Sequence, residues 1–329
     1  VYNVSEYIEA CLESIAIQRY AEIECILIDD CGEDDSVSKI QNWIKKYEGN
    51  IDFRLISNIE NKGVSESRNI GLKESKGKYV VFVDSDDSLY GEYAISHMVE
   101  AMEKNPDADL AIGDIGTNEE KYYKIFHVEK NAIFTTMDEI DNFLSERMCP
   151  WARIIKRSFL VDNNIYFQSG LAHEDNLWSF HLSLHAKKIL TITDKVYYYN
   201  VRGGSEMTSK KNELKRINSL LYISREILLS TSIPRHRKYD YVAFLNLLYI
   251  LRKDTSVLSK CSVAVEPLLK DLRNYFFAER NFRLFLILFF VDARNVLLIK
   301  VGLLQSSVLV FKAFEIIDFW FQSKLQSKY

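Results

Sequence analysis

Two short apolar runs, each ending in carboxylates, set the strictest limit on what this chain can fold into. Ile23 to Asp30 reads IECILIDD, and Tyr79 to Asp87 reads YVVFVDSDD. Neither alternates apolar with polar residues, so neither suits a strand with one wet face. Both suit strands covered on both faces, with the acids at the end where the chain leaves the sheet. A third strand is expected at FRLISN, residues 53–58. Helical spacing fills the intervals. Tyr7, Ile8, Cys11, Leu12 and Ile15 share one face, with Ser5 as the expected N-cap, and SVSKIQNWIKKY follows the first acidic pair. This alternation predicts an α/β domain with a mostly parallel sheet flanked by helices. In such domains ligands bind beyond the carboxyl ends of the strands. Asp29/Asp30 and Asp84/Asp86 would then reach one crevice from two strand ends.

Further along, GEYAISHMVEAMEKN predicts a helix and ADLAIGDIG a strand, followed by a β-rich insertion over residues 118–135. Asp175 opens or caps a helix in GLAHEDNLWSFHLSLHA, KILTITDKVYYYNVRGGSEM predicts a final strand pair, and from about Lys211 the pattern is helical. A chain of 329 residues has room for this division, read as a domain over 1–205 and a helical region over 206–329. Charge divides similarly: residues 1–200 carry 21 Lys+Arg against 35 Asp+Glu, whereas residues 201–329 carry 21 against 11. Different partners for the two parts are implied, and a peripheral contact with an anionic membrane suits the basic part as well as ordinary helix packing does. The apolar stretch from Phe282 to Phe321 is broken by Asp292, Arg294 and Lys300, so no uncharged run approaches the roughly 18–20 residues of a membrane-spanning helix. Five cysteines without CxxC or Cys/His ligand spacing point to a reducing compartment, read as the cytoplasmic side of the cell membrane. No nucleic-acid partner is expected. The chain opens on VYNVSEYIEACLESI without an initiator methionine, so the natural chain is expected to begin upstream.

Asp84, Asp86 and Asp87 crowd within four positions, and carboxylates that close do not all stay ionised cheaply without compensation. An Asp-x-Asp pair on a strand-to-loop turn offers hard oxygens to magnesium or manganese, which keep waters and bridge substrate phosphates. A solvated acidic turn fits the same string. Arg68, in SESRNIGL, begins a helix and can neutralise phosphate. Glu174 and Asp175 supply another acidic pair, while His181 and His185 read as structural.

Taken in order, VYN, ILIDD, GEDDS, NKG, SRN, YVVFVDSDD and HEDNLW resemble the family 2 glycosyltransferases of GT-A fold, over roughly Val1 to Arg202. The resemblance implies that Tyr2 packs on the base of a nucleotide sugar, with Asn3 beside it, and that Asp30 hydrogen-bonds that base. It implies that Arg68 lies beside the nucleotide and that Asp86, with Asp84 nearer the ribose and metal waters, holds Mg or Mn. Asp175 becomes the general base, and Arg202 and Ser205 close over the diphosphate. Cys31-Gly32 stands where Gly-Ser is more usual. The implied activity is inverting, metal-dependent transfer of a hexose or N-acetylhexosamine from a nucleotide sugar, UDP-linked, to a saccharide or lipid-linked oligosaccharide acceptor in polysaccharide synthesis. Two other readings stay open: a sugar-nucleotide pyrophosphorylase, against which the absence of a Gly-rich first loop counts, and a non-catalytic assembly subunit that binds the sugar nucleotide. Trp151 and Trp178 are read as core residues before sugar-lining ones.

Overall fold

In the computed structural model of the chain, residues 1–202, 213–230, 239, 242, 243 and 246 are described. The chain divides into two compact units, Val1–Lys260 and Cys261–Tyr329, and the second lies wholly outside the described residues. Ser205 and most of the expected C-terminal helices lie outside them too.

The first unit opens with α1 (Ile8–Ala16), β1 (Glu24–Asp29), α2 (Ser36–Lys46), β2 (Asp52–Ser57) and α3 (Val64–Glu74). Then come β3 (Tyr79–Val80), β4 (Ser88–Leu89), α4 (Ala94–Lys104), β5 (Leu110–Thr117), α5 (Glu120–Phe126) and β6 (Ala132–Phe134). The series ends with α6 (Met137–Glu146), β7 (Arg153–Lys156), α7 (Arg157–Asp162), α8 (Glu174–His185), β8 (Ile189–Tyr199) and α9 (Glu213–Ser230). The α/β alternation is as expected, but the sheet is mixed. β1 and β2 form a parallel pair of their own. A six-stranded sheet runs β3-β7-β5-β8-β4, with β6 also on β8; β5 and β8 are parallel and its other pairs antiparallel. The antiparallel pairs join strands far apart in the chain, so no tight hairpin sets their direction.

Other expectations are revised by packing. Ser5 does not cap α1; its N–H donates to Asp34 Oδ2 at 2.8 Å, and Tyr7 takes the cap position. The strand expected over Tyr79–Asp87 forms a ladder only at Tyr79 and Val80, because no strand among the described residues lies beside Val81–Val83 to pair with them. Residues 118–135 are not purely β: α5 forms first, with a Glu120–Lys124 ion pair one turn apart and Phe126 packed edge-on to Trp151 at 4.8 Å. The final strand pair is one long strand, β8, which follows β5 through register shifts at Gly113–Ile115.

The sheet's two faces bury separate clusters. Met98 and Met102 of α4 cover Ala111, Ile115, Leu190 and Val196. Ile140 and Leu144 of α6, with Trp178 and Leu182 of α8, cover Leu110, Ile112 and Ile155 on the other. Trp178 is fully buried, stacked on Phe167 at 4.6 Å, as the core reading required. Ile223 and Ile227 of α9 close over Leu177 and Phe180 of α8.

At the carboxyl end of β1 the chain turns tightly at Cys31, whose φ of 60° lies in the left-handed region. The next residue leaves little room for a side chain, since a Cβ at Gly32 would stand 3.0 Å from both the backbone N and the Oδ1 of Asn3. A non-glycine residue at φ above zero costs about 1–2 kcal/mol, partly offset by the extra chain entropy a glycine loses. Cys31→Gly should therefore raise the melting temperature slightly and Cys31→Val lower it. Thermal unfolding of the three proteins in one buffer checks the order, and a Val variant as stable as the parent would contradict it.

Candidate active site

The crevice forms where β1, α3, the turn after Val83, the start of α8 and the end of β8 converge. Its centre is the turn Asp84-Ser85-Asp86-Asp87, closed by a hydrogen bond from Asp87 N to Asp84 O of 3.0 Å. Each carboxylate meets a different device. Asp84 Oδ1 accepts from Arg68 Nη2 at 2.8 Å, and Asp86 Oδ2 accepts from Arg202 Nε at 2.7 Å. Asp87 is buried: its Oδ2 accepts from the Tyr197 hydroxyl at 2.7 Å and its Oδ1 from Asn200 N at 2.8 Å. Burial, reinforced by the adjacent Asp84, pushes the Asp87 carboxyl up to about 8.

Arg68 is the hub. Its Nη1 donates to Glu174 Oε1 at 2.7 Å, so one guanidinium ties the turn to the first residue of α8. Burial alone would lower its pKa, but Asp84 and Glu174 together raise it above the ordinary arginine value. The neighbouring Asn69 explains how Arg68 is held. Its side chain exchanges two hydrogen bonds with the Phe167 backbone, at 2.8 and 2.9 Å, and this sets the Phe167 ring 5.2 Å under the guanidinium carbon.

Asp175 follows Glu174 in the first turn of α8, just after His173, which has a left-handed φ of 61°. It is half-buried, and its one hydrogen bond is from the Asn176 N–H at 3.0 Å. Burial first, and the Glu174 charge second, push its carboxyl up to about 7 although Arg68 opposes them. A carboxylate with no ion pair among the described residues and a pKa near neutrality suits proton abstraction.

The nucleotide-side residues divide. Tyr2 is 47% exposed at the mouth, and Asn3 beside it accepts from Glu33 N at 2.8 Å. Asp30 is buried, and both of its oxygens are engaged: Oδ1 accepts from Asn58 Nδ2 and Lys62 N, and Oδ2 from Gly63 N. It shapes the Asn58–Gly63 loop at the start of α3. Arg202 lies over the Tyr7 ring at 5.1 Å while pairing with Asp86. Reasoning from sequence gave no role to Glu174, Tyr197, Asn200 or Asp87. Of these, only the acids stood out in the string; VYYYN carries no signal of its own.

For a divalent cation, Asp84 and Asp86 are the fitting pair. Each is partly exposed, offers hard oxygens and sits among five carboxylates faced by two guanidinium groups. Among the described residues no group of three or more Asp, Glu, His or Cys side chains is arranged to hold a metal alone. Substrate oxygens and water would have to complete such a shell, which is how Mg and Mn are commonly held.

Residues 1–162 match the family described as Glycosyl transferase family 2. The chain carries a family 2 glycosyltransferase domain. The match ends before Glu174, Asp175 and Arg202, which the fold brings to the same crevice. Among relatives, the uncharacterized glycosyltransferase YibD of Escherichia coli is 26% identical over 288 residues, 81% of each chain. The poly(ribitol-phosphate) beta-N-acetylglucosaminyltransferase TarS of Staphylococcus aureus is 27% identical across 81% of this transferase, which spans 46% of TarS. The structure of TarS residues 1–349 in complex with UDP-GlcNAc superposes with a TM-score of 0.65 at 19% identity, covering 90% of each chain. A mannosyltransferase of Pyrobaculum calidifontis in complex with GDP-Man and Mn2+ gives 0.55 at 15%, covering 90% of this chain and 84% of that one. These likenesses establish the GT-A fold for the transferase.

The raised carboxyl of Asp175 also has a stability consequence. Its folded pKa of about 7 exceeds the unfolded value of about 3.9, so folding favours the protonated form. This group's contribution is most favourable below pH 4 and is lost progressively as pH rises towards 7. Asp175→Asn should therefore stabilise the protein at pH 8 by about 1–2 kcal/mol, after allowance for solvent screening, and by less at pH 5. Paired melting curves at the two pH values check the sign; equal or opposite shifts would contradict it.

Proposed function

We propose that this chain transfers a hexose or N-acetylhexosamine from a nucleotide sugar, UDP-linked, to a saccharide or lipid-linked acceptor in cell-surface polymer synthesis, with inversion at the anomeric carbon. The observation that carries the reading is the arrangement of a half-buried, unpaired Asp175 next to Glu174, which Arg68 ties to the Asp84–Asp86 turn. Support comes also from the related structures, TarS in complex with UDP-GlcNAc and the mannosyltransferase in complex with GDP-Man and Mn2+. A basic, apolar composition after residue 205 favours an acceptor at a membrane face, with catalysis confined to residues 1–205.

In this reaction the acceptor hydroxyl oxygen forms a bond to the anomeric carbon as the bond from that carbon to the diphosphate oxygen breaks. Asp175 takes the hydroxyl proton, and the electron pair of the broken bond leaves with the nucleoside diphosphate. Arg202 and Arg68 lie where developing negative charge would be met. Asp84 and Asp86 would hold a Mg or Mn ion, which when bound neutralises diphosphate charge. Tyr2 stacks on the base, beside Asn3 and Asp30, and Arg202 is assigned to the diphosphate together with Ser205, which lies outside the described residues.

A panel of nucleotide sugars, with and without Mn2+, tests the reading. One donor should turn over, and Asp86→Ala should abolish that turnover. Asp175→Asn should lower kcat by about 100- to 10,000-fold with donor binding retained. Donor binding without turnover on any acceptor would favour the non-catalytic subunit instead.

Because Asp175 must be ionised to act, kcat/KM should rise with pH through about 7. Glu174→Gln removes a neighbouring negative charge, makes ionisation easier and should move that acid limb to lower pH. A limb that stays in place in the variant would assign it to another group.

A further inference from the structure

The turn Asp84-Ser85-Asp86-Asp87 carries three like side chains, but the fold treats the third differently. Asp84 and Asp86 keep side-chain exposures of 30% and 28%, and each is paired with an arginine through one oxygen. Asp87 is 4% exposed, and both its oxygens are consumed by the end of β8. Each oxygen of Asp87 accepts a hydrogen bond from β8 or the residue after it, and burial withdraws the carboxyl from the solvent-facing side of the turn.

Tyr197 is the other half of this anchor. Its hydroxyl accepts from Asp84 N at 3.1 Å and donates to Asp87 Oδ2 at 2.7 Å, so one oxygen spans the turn from its first residue to its last. Asn200 adds a bond from its side chain to Asp86 O at 3.3 Å. The Tyr197 ring is fully buried and stacks on Trp151 at 5.1 Å and 7°. Trp151 is itself 6% exposed and stacks on Tyr199. The backbone of the turn is thus fastened to a rigid aromatic stack, while its two outward carboxylates face the crevice.

We propose that Asp87 and Tyr197 are positioning residues, which set the direction of Asp84 and Asp86 for a divalent cation and take no place in its shell. The proposal rests on the cation reading given above for the same turn. Groups that orient ligands without touching the metal commonly change its affinity when removed.

The test is Mn2+ binding in the presence of UDP, followed by the electron paramagnetic resonance of the free ion, with melting temperatures measured alongside. Tyr197→Phe keeps the stack on Trp151 and removes only the hydroxyl; Asp87→Asn keeps the shape and replaces one accepting oxygen by an amide nitrogen. Each should weaken Mn2+ about tenfold, whereas Asp86→Asn should abolish binding. If Asp87→Asn does not fold, Tyr197→Phe decides alone. An unchanged Mn2+ affinity in Tyr197→Phe, with or without a lower melting temperature, would overturn the proposal, because the hydroxyl would then be structural only. Loss of Mn2+ in Asp87→Asn as complete as in Asp86→Asn would overturn it too, by making Asp87 a ligand. A wild-type protein that binds UDP without any Mn2+ effect would remove the cation reading itself, and this inference with it.

Discussion

Mutual repulsion among the carboxylates of one four-residue turn is the constraint around which this crevice is organised. Three aspartates that close repel by several kcal/mol at the effective dielectric of a protein surface. The fold resolves this by partition. Arg68 comes from α3, Arg202 from the segment after β8, and the Tyr197 hydroxyl and Asn200 N–H from β8 and its end. Each acid has its own counter-group, and the groups come from separate parts of the chain. Two of those counter-groups are arginines on partly exposed carboxylates and one is a buried hydrogen-bonded clamp. Functional carboxylates are thereby left on the side that faces solvent, and the structural one is sealed behind them.

The same economy links the two sides of the crevice. Arg68 alone connects the Asp84 turn with Glu174 at the head of α8. Arg68 is engaged there and forms no ion pair with Asp175, whose carboxyl is pushed up to about 7 by burial first and the Glu174 charge second, against the pull of Arg68. A side chain that stabilises one acid leaves its neighbour available as a base. Active sites commonly arise from such unequal treatment of adjacent acids. The cost is visible in local strain, with His173 held in a left-handed conformation immediately before the pair.

Much of the scaffold was legible because buried strands and amphipathic helices impose their periods on a sequence. IECILIDD gave β1, and FRLISN gave β2 to within a residue. The helices of residues 94–104 and 174–185 followed from apolar spacing and a first-turn acid. Errors arose where a neighbour decided the outcome. Val81–Val83 have strand composition, but a ladder needs a partner strand, and local sequence does not report one. KYYKIF has β-forming aromatics, yet Tyr122 and Phe126 find Tyr199 and Trp151, and that packing suits one helical turn better than a strand.

By itself the sequence determined that this is an α/β protein with carboxylates at strand ends and an arginine opening a helix among them, because hydrophobic period and charge clustering are local properties of a chain. Asp84, Asp86 and Arg68 stood out by their own chemistry, whereas Asp175 and Arg202 came from the resemblance to family 2 glycosyltransferases. Only the tertiary structure decided which acid faces which partner. The pairs Arg68–Glu174, Arg202–Asp86 and Tyr197–Asp87 join residues 106, 116 and 110 positions apart. No local pattern encodes contacts at that separation; they exist because burial of their apolar faces brings β8, α3 and α8 to one crevice.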